Sequence, residues 1–235
     1  MNKKLIILFI TIFILLTAGT VVALTPLGNT IEMFLFGQNL KKYHTEKGAV
    51  IATINGTAIY ESQIKAEKEA LKLTKKGLRE QYENEEWPEE VKKQMEIDLN
   101  RSDKTDDEIL SDIILNEVLW QESCQKGFNI SEEESFLEAK KEMETLKNLL
   151  NSKNADEQKS AERNYALLKE FMKGYGFSED EYIKEILTPM TQKNKAYIKL
   201  YENFVNNLPE TEKENADTLF DKYTDELVNH AKISR

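Results

Sequence analysis

Thr105–Ser135, TDDEILSDIILNEVLWQESCQKGFNISEEES, holds a helix with its start and stop signals and the opening of the next helix. Thr105 followed by Glu108 is a capping-box pattern: the threonine hydroxyl accepts from the N3 backbone N–H while the glutamate reaches back to the threonine N–H. Ile109, Ile113, Leu115, Val118, Leu119 and Trp120 follow. They are too many for one stripe, which predicts a helix covered around much of its circumference and therefore central to the fold. Gly127 is placed to end it, because a glycine just past the last turn takes the left-handed conformation without steric cost. Ser131 with Glu134 then repeats the capping pattern. A chain organised around such a segment is mostly α.

Working outward from there, the helical period continues. Towards the amino end, Ile64, Leu71 and Leu78 share one face of a first helix, and Pro88, after Trp87, suits the first position of a second. Towards the carboxyl end, Phe136, Ala139, Met143, Leu146 and Leu150 step by three and four, as do Ala161, Tyr165, Leu168, Met172 and Tyr175. Ser178 with Glu181 caps a further helix carrying Tyr182, Ile186, Met190, Tyr197, Tyr201 and Phe204, which Pro189 should kink or divide. Leu219, Tyr223, Leu227 and Ala231 stripe a closing helix over 215–233. The one β-rich stretch lies near residues 50–60, where Asn55-Gly56 between Ile51–Ile54 and Ala58–Ile59 reads as a tight hairpin turn. A lone hairpin is marginal, so Ala231–Ile233 is expected to pair with the Val50–Ile54 strand.

Composition narrows the function classes. Of 235 residues, 32 are basic and 42 acidic, and with Lys3 and Lys4 set aside the remainder carries a net charge of −12. Such a polyanion has no electrostatic footprint for nucleic acid. Glycine (9) and proline (4) are too few for a glycine-loop nucleotide fold. Cys124 alone cannot close an intramolecular disulfide, and His44 and His230 cannot build a histidine-rich metal site. Neither histidine has a motif around it. Cys124 lies among Gln121, Glu122 and Gln125 rather than in the electropositive setting a nucleophilic thiol needs. Glu132–Glu134 occupy a helix first turn, where negative charge is favourable in itself. There is no calcium loop, zinc motif, phosphate loop or nucleophile elbow. The reading is therefore no enzyme, no metal and no cofactor.

The amino terminus sets the compartment. Leu5–Leu24 is a 20-residue run without charge, preceded by Lys3 and Lys4. At helical rise it spans about 30 Å, the thickness of the hydrocarbon core, and the lysines favour a cytoplasmic amino end. Residues 1–25 are thus read as a membrane-spanning signal anchor, with the rest extracytoplasmic at the cell membrane. The alternative is a signal peptide cleaved near Val21-Val22-Ala23, leaving a secreted protein. No cysteine near the run allows a lipid anchor. Residues 26–48, interrupted by Pro26, Gly28 and Gly37, read as a juxtamembrane linker. Their cluster Ile31, Met33, Phe34, Leu35 and Phe36 is either plain hydrophobic linker or a short segment lying in the membrane interface.

Three stretches together resemble the SurA/PrsA/PpiD family of exported chaperones. Ile51–Ile64, IATINGTAIYESQI, resembles the family's opening strand, turn and first helix. Asp112–Ser135 is similar to its central apolar helix ending in Lys-Gly before a serine-capped acidic helix. Ala216–Ile233, ADTLFDKYTDELVNHAKI, is similar to its closing helix and strand. The resemblance covers most of 49–235 and implies a helical peptide-binding domain that engages unfolded or nascent exported proteins without ATP. Many members insert a parvulin-type prolyl isomerase domain before the closing helix. Here only Pro209–Glu214 separates Leu208 from Asn215, so isomerase activity is not carried over. Methionine is an adaptable contact for varied ligands. Met172, Tyr175, Phe177 and Met190, grouped around Gly174 and Gly176 near Pro189, are the candidate lining of a client groove or, alternatively, ordinary core at a helix corner. Against the chaperone stands a different class, an anchored helical interaction module with one dedicated protein partner.

Overall fold

A computed structural model describes residues 30–84 and 88–235. The expected membrane-spanning segment at 1–25 lies outside the described residues. Among those described, no helix is long and apolar enough to cross a membrane.

The described residues are mostly helical, with one small three-stranded sheet. In chain order the elements are α1 (Thr30–Thr45), β1 (Val50–Ile54), β2 (Thr57–Tyr60), α2 (Glu61–Asn84), α3 (Glu89–Arg101), α4 (Asp106–Gln125), α5 (Glu132–Leu149) and α6 (Ala155–Tyr175). There follow α7 (Glu179–Tyr182), a π-helical turn (Ile183–Leu187), α8 (Thr188–Asn206), a 3-10 segment (Glu210–Asn215), α9 (Ala216–His230) and β3 (Ile233–Ser234).

The local signals work by the chemistry expected of them. Thr105 and Ser178 each close a reciprocal capping box with Glu108 and Glu181, and Ser131 accepts from the Glu134 N–H. These bonds hold the Glu108 and Glu181 carboxyls below their usual range. At the end of α4, Gly127 (φ 74°) donates to the Cys124 carbonyl and Phe128 to that of Ser123, the paired bonds of a Schellman motif. Pro88 stands one position earlier than expected, as the N-cap of α3. The helix across Pro189 is divided as its ring requires, since proline has no N–H and would crowd the carbonyl four residues back. The π-turn absorbs that conflict, and Thr188 donates both its N–H and its hydroxyl (2.8 Å) to the Ile183 carbonyl.

β1 lies between β2 and β3, antiparallel to both, with Ile54 opposite Thr57 on one side and Ile233 on the other. Asn55 (φ 48°) and Gly56 (φ 92°) make the turn. Asn55 also acts as a clamp. Its backbone N–H donates to the Lys232 carbonyl, its side-chain oxygen accepts from the Lys232 N–H, and its amide donates to Gln121 of α4. The expected pairing of the two ends of the domain is present, with the register at Ile233–Ser234.

Three apolar clusters run through the body. The sheet packs Ala52, Ile54 and Ile59 on Ile109, Ile113, Ile114 and Val118 of α4. The far end of α4 contributes Leu119 to a second cluster with Tyr197, Leu200 and Phe220. Membership of both is what makes α4 central. The third and largest joins α1, α2, α5, α6 and the π-turn region, including Met33, Phe36, Met143, Phe171, Met172 and Tyr182.

One reading needs correction. From Thr30 onward, the stretch read as a linker over 26–48 is a sixteen-residue helix built into the core, with Met33, Phe36 and Gly37 buried. The physical reason is glycine against backbone. A Cβ on Gly174 would fall 2.8 Å from the Phe34 carbonyl carbon and closer still to its oxygen, and one on Gly37 would fall 2.8 Å from the Tyr175 nitrogen. The two glycines let α1 and α6 meet at a separation no other residue allows. Gly37, which in sequence looks like a break, is the point of contact.

Candidate client-binding surface

The residues proposed from sequence occupy the α1–α6 crossing. Met172 and Tyr175 are buried in the largest cluster, alongside Met33 and Phe36. Phe177 packs against the same cluster, its ring stacked on Tyr175 at a centroid distance of 4.0 Å. Met190 is half-buried on α8 and stands outside that cluster. Three of the four are thus brought together, but in a filled corner. The space that a client groove would need is taken by α1 of the same chain.

Electrostatics reinforce that packing. His44 Nδ1 and the Tyr175 hydroxyl share a 2.5 Å hydrogen bond between the end of α1 and the end of α6. Burial pushes the Tyr175 hydroxyl up and holds His44 below its ordinary value. Cys124 is half-buried, and its thiol is pushed up by burial and by Glu117, the opposite of an activated nucleophile. Among the described residues, no three His, Cys, Asp or Glu side chains converge as a metal site would need.

A cluster less fully buried than the other two lies at the carboxyl end of α4. Around the buried Leu119, Tyr197, Leu200 and Phe220 stand half-buried Leu115, Trp120, Phe128, Tyr201, Phe204, Tyr223 and Leu227. Here the half-buried members outnumber the buried ones, the reverse of the other two clusters. Phe220 is the hub, with ring centroids 5.1 Å from Tyr201, 5.2 Å from Phe204 and 5.8 Å from Tyr223. The rings are held by their polar ends. Tyr201 donates to Asp217 (2.6 Å), Tyr223 to Glu122 (2.8 Å) and Tyr197 to the Asn116 carbonyl (2.7 Å). Burial first, then the carboxylate partner, raises the Tyr201 and Tyr223 hydroxyls. Lys193 lies 5.8 Å from the Trp120 ring centroid and Lys126 6.0 Å from that of Tyr223, so cations rim the patch.

No protein-family model, curated protein or solved structure matches this chain. The surface is therefore read from its own geometry. Fixed aromatic rings with one face against the core and part of their area open suit apolar side chains of an extended polypeptide. Oriented aromatics offer large contact area at low entropic cost.

Sequence reading named Trp120, Tyr197, Tyr201, Phe204 and Tyr223 only as helix stripes, and it omitted Phe128 and Phe220. The missed signal was the frame of α9. Its buried face runs through Ala216, Phe220 and Thr224, one position on from Leu219 and Tyr223, with Tyr223 and Leu227 half-buried beside it.

Proposed function

We propose that this protein is a membrane-anchored extracytoplasmic chaperone that binds unfolded or newly exported polypeptides without ATP, cofactor or prolyl isomerase activity. The observation that carries the reading is the α4–α8–α9 aromatic patch, half-open and rimmed by lysines on an otherwise acidic body. Two features add support: the resemblance of residues 49–235 to the SurA/PrsA/PpiD chaperones, and an acidic net charge that keeps a protein with open apolar surface soluble. The uncharged run Leu5–Leu24 supports anchoring at the membrane where exported clients emerge.

One observation favours the other reading, an anchored module with a single dedicated partner. The most adaptable candidates, Met172 and Tyr175, are closed within the core, and a rigid aromatic patch also suits one folded surface. The test is aggregation suppression of a chemically unfolded client by the full-length protein in nanodiscs, run beside a prolyl-peptide isomerisation assay. A chaperone suppresses aggregation near stoichiometry and leaves the slow uncatalysed X–Pro rate unchanged. Trp120→Ala weakens suppression about tenfold, the effect of removing a central aromatic anchor. Met172→Ala lowers stability and leaves suppression intact. Absence of suppression by the unaltered protein refutes the chaperone and leaves the single-partner module.

A further inference from the structure

The docking of α1 onto α6 has an external side. Ile31 and Leu35, one turn apart on one face of α1, are 69% and 49% exposed, while Met33 and Phe36 on the other face are buried. Along the outer stripe the order is Ile31, Leu35, Gln38, Lys42, all exposed, so apolar character is confined to the amino-terminal half. We propose that this half of α1 lies in the headgroup region of a lipid bilayer and fixes the tilt of the whole domain on the membrane.

Chain length argues for that occupant. Only residues 25–29 separate Leu24, the last residue of the apolar stretch read as the anchor, from Thr30. Five residues reach at most about 17 Å even fully extended. The polar zone outside the hydrocarbon is roughly 5–8 Å thick on each side. The headgroup region is therefore within reach of Ile31 if Leu5–Leu24 spans the bilayer, and the proposal rests on that anchor reading.

Charge agrees. Across α1 the basic residues are Lys41 and Lys42 and the one acidic residue is Glu32, so this helix is net positive in a protein of net charge −10. Glu32 is ion-paired with Lys76 of α2, and Lys173 of α6 lies 5.7 Å from the Phe34 ring centroid. Anionic headgroups thus meet compensated or positive charge here, in a protein whose net charge is −10. The glycine contact makes the geometry rigid. α1 cannot swing on a hinge, so seating Ile31 and Leu35 orients α6 and everything packed on it.

The test uses the full-length protein with Cys124→Ser, carrying one cysteine at a time: Ile31→Cys, Leu35→Cys, Ile198→Cys on α8 as an exposed apolar control (53%), and Ile14→Cys within the uncharged run. Each is labelled with an environment-sensitive fluorophore and reconstituted into phosphatidylcholine–phosphatidylglycerol vesicles containing, in separate preparations, shallow or deep spin-labelled lipid. The expected result is strong quenching at 14 by the deep label and quenching at 31 and 35 by the shallow label at least threefold above that at 198. Quenching at 14 with 31 and 35 no different from 198 overturns the proposal and leaves the anchor standing. No quenching at any position, 14 included, refutes the anchor and the proposal with it. A blue-shifted but unquenched signal at 31 and 35 means that protein covers them, and also overturns it.

Discussion

Replacing Gly174 by alanine sets two effects of opposite sign against each other. Alanine is better than glycine inside a helix by about 1 kcal/mol. If α6 met nothing at this position, the variant would be more stable by that amount. Its new Cβ, however, would sit 2.8 Å from the Phe34 carbonyl carbon and nearer to the oxygen, against backbone that has no rotamer to change. Relief requires α1 and α6 to part by on the order of 1 Å. A gap of that size forfeits a quarter to a half of each dispersion contact across it, and a large buried side chain holds about 40–60 contacts of 0.1–0.2 kcal/mol each. Met33 and Phe36 are the large side chains that α1 buries in the cluster it shares with α6. A loss of about 2 kcal/mol from each, less the gain in propensity, gives a net destabilisation of about 3 kcal/mol, at the upper end of measured overpacking costs. For a chain of this size that lowers Tm by roughly 6–12 °C. Urea unfolding of the full-length protein in detergent micelles, followed by circular dichroism, reads it directly. Gly37→Ala should cost a similar amount, and the double variant little more than either alone, because the first already separates the helices. A Gly174→Ala protein as stable as the original, or stabler, would refute the backbone contact and the account of α1 built on it.

Two further predictions concern protons. Glu67 on α2 has its carboxyl desolvated, with Asp112 opposing its charge and Lys104 only partly offsetting, which raises it from 4.5 to about 7. A carboxyl raised on folding stabilises the protonated protein, so this contribution is fully present below pH 4.5 and is lost as pH climbs through about 7. Glu67→Gln should therefore flatten the stability profile between pH 5 and pH 8 and raise stability at pH 8 by on the order of 1–2 kcal/mol, measured by urea titration at each pH; an unchanged slope would show the carboxyl to be solvated. His44 behaves in the opposite sense: burial lowers it from 6.5, so its contribution is complete above pH 6.5 and falls away as pH drops through the lowered folded value. Tyr175→Phe should cost about 1 kcal/mol through the lost His44 bond, and NMR of the histidine ring should show His44 titrating higher in the variant than in the parent if that bond favours the neutral ring.

What was legible in the sequence was local. The caps at Thr105, Ser131 and Ser178, the Gly127 stop and the Asn55-Gly56 turn each act within a few residues, so their chemistry is written in adjacent letters. The pairing of β1 with β3 was legible because a hairpin of that length needs a third strand. The role of α1 was not. Gly37 meets its partner Gly174 across more than a hundred residues, and a glycine in an apolar stretch looks the same whether it breaks a helix or lets one approach. The candidate site divides in the same way. That Met172, Tyr175 and Phe177 would gather was visible from their spacing around Gly174 and Gly176. That they would share a core with α1 was not, because Met33 and Phe36 join that core from more than a hundred residues away. Phe220 was lost to a one-position error in the frame of α9, whose Leu219 and Phe220 are equally apolar choices.

The clamp at Asn55 imposes an order on how this chain can be completed. Asn55 and Lys232 exchange their bonds across a separation of 177 residues, and Ile233 is the residue that closes the outer side of Ile54. A polypeptide that emerges amino end first must hold the β1 edge open until Lys232 and Ile233 arrive. Any product halted short of Lys232 would keep that edge unpaired beside an apolar face, the kind of surface that recruits other strands. Copies that lack this segment thus carry a mark of its absence, an open edge that is lost only when Ile233 pairs with Ile54.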